Sequence, residues 1–245
     1  MNFCTMNRQL RKWLLAVLGF IVVLYLGVLD RLVCVMRDHT LLPIGFTREL
    51  IVSALSTDAI VSFIPVLAVI PFSGTFIEEI KSNFARYLLI RSGYCHYLLG
   101  KILMCYLYGG TVLLFGCISA WGIAALVFLP IEKVAEDGFS HTEQVFSLLL
   151  IFFQAGGFWA VVGMSMSTIM ESKYIAYASP FVIYYLLVIL CERYFPEAFL
   201  LYPPNWTNPE VWPYGAWGAA ILLIELTLVF SILFVFRAGR RLREL

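Results

Sequence analysis

Long apolar runs separated by short polar segments set the pattern of this chain. A helix crosses the ~30 Å hydrocarbon core of a bilayer in about 20 residues, with roughly 17 to 25 tolerated. Six stretches meet that length: 13–29, 51–72, 97–128, 145–170, 174–191 and 216–236. The third exceeds what a crossing needs, so it is expected to tilt or to project beyond the bilayer. Pro65 and Pro180 fall inside apolar runs and predict kinks. The expected fold is all-α, a single polytopic membrane domain of six transmembrane helices over 1–245.

The polar segments give the orientation. With the N-terminus in the cytoplasm, the inner segments hold Arg8, Arg11, Lys12, Lys81, Arg86, Arg91, Lys101, Lys173, Arg237, Arg240, Arg241 and Arg243. The outer segments hold Arg31, Arg37, Arg48, Lys133 and Arg193 among eleven of the chain's 16 carboxylates, Asp58 at the outer end of the second span included. Basic residues concentrate on the cytoplasmic side of membrane proteins. Both termini are therefore expected in the cytoplasm, which six crossings satisfy. The run at 13–29 follows a basic start but lacks a small-residue cleavage site, so it reads as a retained anchor.

One inner segment breaks the pattern. "FIEEIKSNFARYLLIRSGYCHYLLGK", from Phe76 to Lys101, carries two Glu, two Lys and two Arg, yet keeps aromatics and leucines at regular spacing. At 100° per residue, Phe76, Ile77, Ile80, Phe84, Tyr87 and Leu88 share an arc of about 120°. Glu78, Glu79, Ser82 and Arg86 lie opposite. The expectation is one amphipathic helix over about 76–91 on the inner membrane face, stopped at Ser92-Gly93. Its apolar arc would face lipid, and its mixed-charge face would offer contacts to a protein. The last outer segment, 192–215, is dense in Pro, Trp and Tyr and is expected to lie in the outer headgroup layer or to dip back into it.

The stretch "FIEEIKSNFARYLLIRSGYCHYLLGKIL" resembles the segment between spans two and three of type-2 permeases of ATP-binding cassette (ABC) transporters. Glu78 or Glu79 falls at the family's acidic position and Arg91 at its basic one. Tyr97-Leu98-Leu99-Gly100-Lys101 falls at the entry to the third span. The resemblance implies a membrane-spanning subunit of an ABC exporter in a cell membrane of bacterial type. Its coupling helix would use Glu78, Glu79, Ser82, Arg86, Arg91 and Lys101 to engage a separate ATPase subunit, present in two copies. ATP and Mg would be bound by that partner and no cofactor by this chain, and a second permease subunit would complete a homo- or heterodimer. Substrates of such permeases include peptides, lipids, drugs, ions and glycans.

Composition agrees with the membrane reading and narrows the rest. The chain is 61% hydrophobic and 13% charged, with a mean hydropathy of +0.87. Its net charge of +1 gives no basic field for nucleic acid. A phosphate-binding loop needs G-x-x-x-x-G-K-[ST], and the nearest match, Gly93 to Gly100-Lys101-Ile102, has the wrong spacing and lacks the hydroxyl. No enzyme is expected. His39, His96 and His141 are assigned to different sides, so they do not converge on a metal. Three intramembrane polar candidates stand out: Glu225 near the middle of the last span, Gln154 in the fourth, and Asp58 at the outer end of the second. A carboxyl in a span is expected to face the bundle interior, where Glu225 would hydrogen-bond Gln154 or serve a proton or ion pathway. That leaves two alternatives to the ABC reading, a secondary transporter driven through Glu225 and a membrane-embedded immunity or sensor protein.

Overall fold

The computed structural model describes residues 3–27, 46–128, 130 and 142–243, and every regular element in them is helical. The outer segments with Arg31, Arg37, Cys34, His39, Lys133 and His141 lie outside the described residues. Helices occupy all six apolar runs. They are α1 (Phe3–Gly27), the pair α2 (Phe46–Leu55) and α3 (Asp58–Val69), and then α4 (Thr75–Lys81) and α5 (Phe84–Ser92) of the charged segment. After these come α6 (Tyr94–Phe128), α7 (Thr142–Met170), α8 (Lys173–Arg193) and α9 (Ala216–Arg243).

Five of these helices are long and apolar enough to cross a membrane, or six crossings if α2 and α3 together make one. The pair is bent by 66°. The bend falls at Ser56-Thr57 and not at Pro65, which lies inside α3. Hydroxyl chemistry explains the position. Thr57 is extended, which interrupts the backbone ladder. The side chains of Ser53, Ser56 and Thr57 donate to the carbonyls of Leu50, Ser53 and Ser53 at 3.0, 3.0 and 3.1 Å. Freed backbone groups are thus satisfied locally, the condition for a break at membrane depth.

Contacts along α6 show that the bent pair runs the length of the bundle. Phe46 packs edge-on against Phe128 at 5.8 Å, the Ala68 carbonyl lies against Gly109, and Phe72 stacks on Tyr108 at 5.2 Å. The pair is therefore antiparallel to α6. By contrast α1 is parallel to it: Trp13 Nε1 donates to Thr111 Oγ1 at 3.1 Å and Tyr25 OH to the Ala120 carbonyl at 2.8 Å. Both described chain ends consequently reach the same end of the bundle, where Lys12, Lys81, Lys101, Lys173 and Arg241 also collect. We call it the basic end.

Helix α7 is the centre. Within its candidate span 67% of residues are buried, against 22% in those of α1 and α9. It packs on α6, α8, α9 and α3, and Phe152 reaches Phe20 of α1. Small residues set the approach to α6. A Cβ on Gly156 would lie 2.5 Å from the Gly109 carbonyl oxygen, and one on Gly157 or Gly110 would strike the Tyr106 or Phe153 ring. Lipid chains are as apolar as leucine, so helices associate through such close van der Waals contact. Gly156-Gly157 thus serves packing inside the chain. Nearby, Ser73 and Cys105 both donate to the Ala160 carbonyl, at 3.0 and 3.2 Å.

The end opposite the basic one is closed by residues 199–211, three short 3-10 turns laid across α7, α8 and α9. Trp206 is buried among Phe158, Trp159 and the helix ends, and its Nε1 donates to the Leu200 carbonyl at 2.8 Å. Trp212 Nε1 likewise donates to the Asn205 carbonyl at 2.8 Å. The segment is a plug of aromatic rings on the bundle end, with Tyr194, Phe195, Leu200, Tyr214 and Trp217 exposed around it.

Two glycines separate packing from propensity. Gly156→Ala is expected to lower the stability of the detergent-solubilised protein by about 1–3 kcal/mol through overpacking. Gly122→Ala, where nothing lies within 4 Å of the new methyl, is expected to be neutral or slightly stabilising. Thermal unfolding of both variants checks the pair, and equal behaviour would contradict the assigned α6–α7 contact.

Candidate functional site

The charged segment at the basic end is two helices, not the single one its periodicity predicts. Asn83 sits between them in the left-handed region, φ 58°, a conformation Asn tolerates better than most residues. The Ser82 and Asn83 amides close α4 by donating to the Glu78 and Ile80 carbonyls at 3.1 and 3.0 Å. Gly93, at φ 73°, ends α5, so the stop at Ser92-Gly93 is where the sequence puts it.

The break re-aims α5, and the expected lipid-facing arc therefore divides. Phe76 and Ile77 of α4 are 0% and 1% exposed and pack inside the protein, Phe76 lying edge-on to Phe234 of α9 at 4.9 Å. This half of the arc corrects the surface reading: it is core. On α5, Ala85 is buried, while Phe84, Tyr87 and Ile90 are exposed at intervals of three residues. Only α5 presents an apolar edge outward.

The two glutamates of α4 are held by other helices. Glu79 accepts from Lys101 Nζ at 2.5 Å and from Tyr97 OH at 2.7 Å, both on the first turns of α6. Lys101 also lies 5.0 Å over the Phe72 ring. Its side chain is 11% exposed and that of Glu79 22%, so this pair is largely desolvated. Glu78 lies 3.9 Å from Lys173 at the start of α8. A third ion pair joins Arg241 of α9 to Glu171, whose own φ of 57° marks the tight α7–α8 turn. Lys12 of α1 reaches Tyr177 OH at 3.4 Å. Lys81, Ser82, Asn83, Arg86 and Arg91 remain exposed.

Of the expected coupling residues, the structure brings Glu78, Glu79 and Lys101 together inside the basic end. It leaves Ser82, Arg86 and Arg91 on its surface. Sequence reasoning missed Tyr97, Lys173 and the Glu171–Arg241 pair as partners, because those contacts join positions 18, 95 and 70 residues apart. A cavity of about 790 Å³ opens beside the cluster, with Gln9, Phe72, Glu79, Lys101, Lys173 and Tyr174 in its wall.

The intramembrane candidates do not converge. Glu225 is exposed on the outer side of α9 and does not face the interior. The reason is helical period: Ala219, Leu223 and Phe234 turn to the core, and Glu225 shares the opposite face with Ile221, Leu228 and Ile232. Gln154 on α7 is half-buried, and its Oε1 is buried without a hydrogen-bond partner, so the expected Glu225–Gln154 bond is not formed. Asp58 is exposed in the first turn of α3, where its carbonyl accepts from Ser62 Oγ at 2.5 Å.

Fold and site together define a multi-span, all-helical membrane protein whose two kinds of ends differ, one aromatic and one ion-paired. The chain matches no protein-family model, no curated protein and no solved structure.

The Glu79–Lys101 pair is measurable. Glu79→Gln and Lys101→Met are each expected to destabilise the protein, because each leaves a partly buried charge unpaired. The double variant should recover part of the loss. A double-mutant cycle by thermal unfolding is expected to give a coupling of about 1–3 kcal/mol, and additive effects would refute the pairing.

Proposed function

We propose that this chain is the permease subunit of an ABC transporter of the type-2 class, an exporter by that resemblance, working with a separate ATPase in two copies. The observation that carries the reading is the way α4 is clamped. Glu79 fastens it to the start of α6, and Glu78 lies against the start of α8. A push on the α4–α5 segment is therefore delivered to two long helices at their basic ends. The same segment presents Lys81, Ser82, Asn83 and Arg86 outward, a polar surface that a partner can grip.

On this reading the basic end is cytoplasmic, in accord with the distribution of Lys and Arg. ATP and Mg belong to the partner, since the sequence has no phosphate-binding loop. Closure of two ATPase subunits would move α4 and α5, tilt α6 and the α2–α3 pair, and open a path along the permease pair. The division of labour is specific. Glu78, Glu79 and Lys101 transmit force within the chain, whereas Ser82, Arg86 and Arg91 lie where a partner touches.

The test is co-purification from the native host with a P-loop ATPase, followed by ATPase assay of the complex. Ser82→Glu with Arg86→Glu should abolish association while leaving the permease inserted and thermally unchanged. Glu79→Gln should instead keep association and weaken the dependence of ATP turnover on substrate. Transport by the chain alone in liposomes, or the absence of any ATPase partner, would refute the proposal.

A further inference from the structure

Helix α9 lies at the edge of the bundle, and one of its faces is uncovered from end to end. Ile221, Leu228, Ile232 and Val235 on that face are 53%, 58%, 69% and 37% exposed. Glu225 is exposed among them and makes no hydrogen bond or ion pair with any described residue. At 1.5 Å per residue it lies about 12 Å along the helix from Trp217 and about 18 Å from Arg237. That places it well inside a ~30 Å hydrocarbon layer. Carboxyl groups at such depth ordinarily face a bundle interior or a water-filled cavity. Here the face is outward, and no described residue of the same copy covers it.

The spacing of the exposed positions describes what supplies it. Residues 221, 225, 228, 232 and 235 advance by four and three alternately, the seam of two helices packed with a slight left-handed crossing. Glu225 is the single polar member of this seam. One polar residue in an otherwise apolar seam fixes register and pairing. Two-fold symmetry about the membrane normal brings equal residue numbers to equal depth. Glu225 then meets Glu225 of a second copy. A carboxyl group suits that meeting, because with its proton it carries both a donor and an acceptor and can satisfy its own likeness. No Lys or Arg of this chain falls near the middle of any of the six apolar stretches to offer another partner at that depth.

We propose that this face of α9 is the seam of a homodimer in the membrane, with the two Glu225 carboxyl groups hydrogen-bonded to each other across the two-fold axis. It goes beyond the permease reading, which leaves the pairing surface open, and it stands or falls whether or not an ATPase binds.

Single cysteines at Ile221, Leu228 and Ile232 test it in native membranes. Cys4, Cys34, Cys95 and Cys191 are first replaced by serine, the buried Cys105 and Cys117 being kept. Leu126→Cys, on an 81% exposed position of α6, is the control. A short bis-maleimide is expected to link the seam variants into dimers and to leave Leu126→Cys monomeric. In detergent, Glu225→Leu should weaken self-association about 3- to 30-fold, the range of interhelical hydrogen bonds in membranes. Glu225→Gln should retain it, since an amide also carries donor and acceptor. Glu225→Lys should bind the wild-type chain better than it binds itself. Linking at the seam no greater than at Leu126 would overturn the proposal. So would a dimer fraction indifferent to Glu225→Leu, or the loss of a different membrane protein while that fraction holds.

Discussion

Where α6 crosses α7, the absence of side chains on Gly109 and Gly156 lets one backbone rest against the other. The remaining fold depends on that approach. In a bilayer there is little hydrophobic drive to bring helices together, so dispersion contacts have to be made at short range. With α7 drawn onto α6, the carbonyl of Ala160 becomes the shared acceptor of Ser73 and Cys105, which fixes the end of the bent pair against both helices. The opposite side of α7 is then free to carry α8, through Gly163, and α9, through Phe158 and Phe234's neighbours.

At the basic end a different physics takes over. Three of the long helices that begin or end there are tied by charge: α6 through Lys101, α8 through Lys173, α9 through Arg241. These ties differ in kind. Lys101 and Glu79 are mostly desolvated and share a third group, Tyr97, which makes their geometry well defined. The Lys173–Glu78 approach is longer and more exposed, so it holds weakly and can exchange.

The six runs and the break at Gly93 were legible in the sequence because both follow from local rules, helix length against bilayer thickness and a glycine where left-handed backbone is needed. The bend at Ser56-Thr57 was less so: Pro65 is the louder signal, yet clustered hydroxyls decide the break by supplying replacement hydrogen bonds. The wheel over 76–88 assumed an uninterrupted helix. One residue in left-handed conformation, Asn83, invalidates it, and the apolar arc splits into core on α4 and an exposed edge on α5. Glu79's partners could not be read from periodicity at all, since Tyr97 and Lys101 approach it only after the chain has turned at Asn83 and Gly93.

Glu225 shows where a rule taken from assembled proteins misleads when it is applied to one chain. The statement that ionisable groups face the interior concerns the finished assembly, and a single subunit can carry part of that interior on its outside. The helical period of α9 leaves no freedom in the matter: with Ala219, Leu223 and Phe234 committed to α7 and the aromatic plug, residue 225 must point away. The cost of a lone carboxyl facing lipid, on the order of 3 kcal/mol on insertion scales, is a considerable share of a protein's net stability. No described residue pairs with Glu225 to offset it. A glutamate kept in the middle of a helix at the bundle's edge is the observation on which the proposed two-copy seam rests.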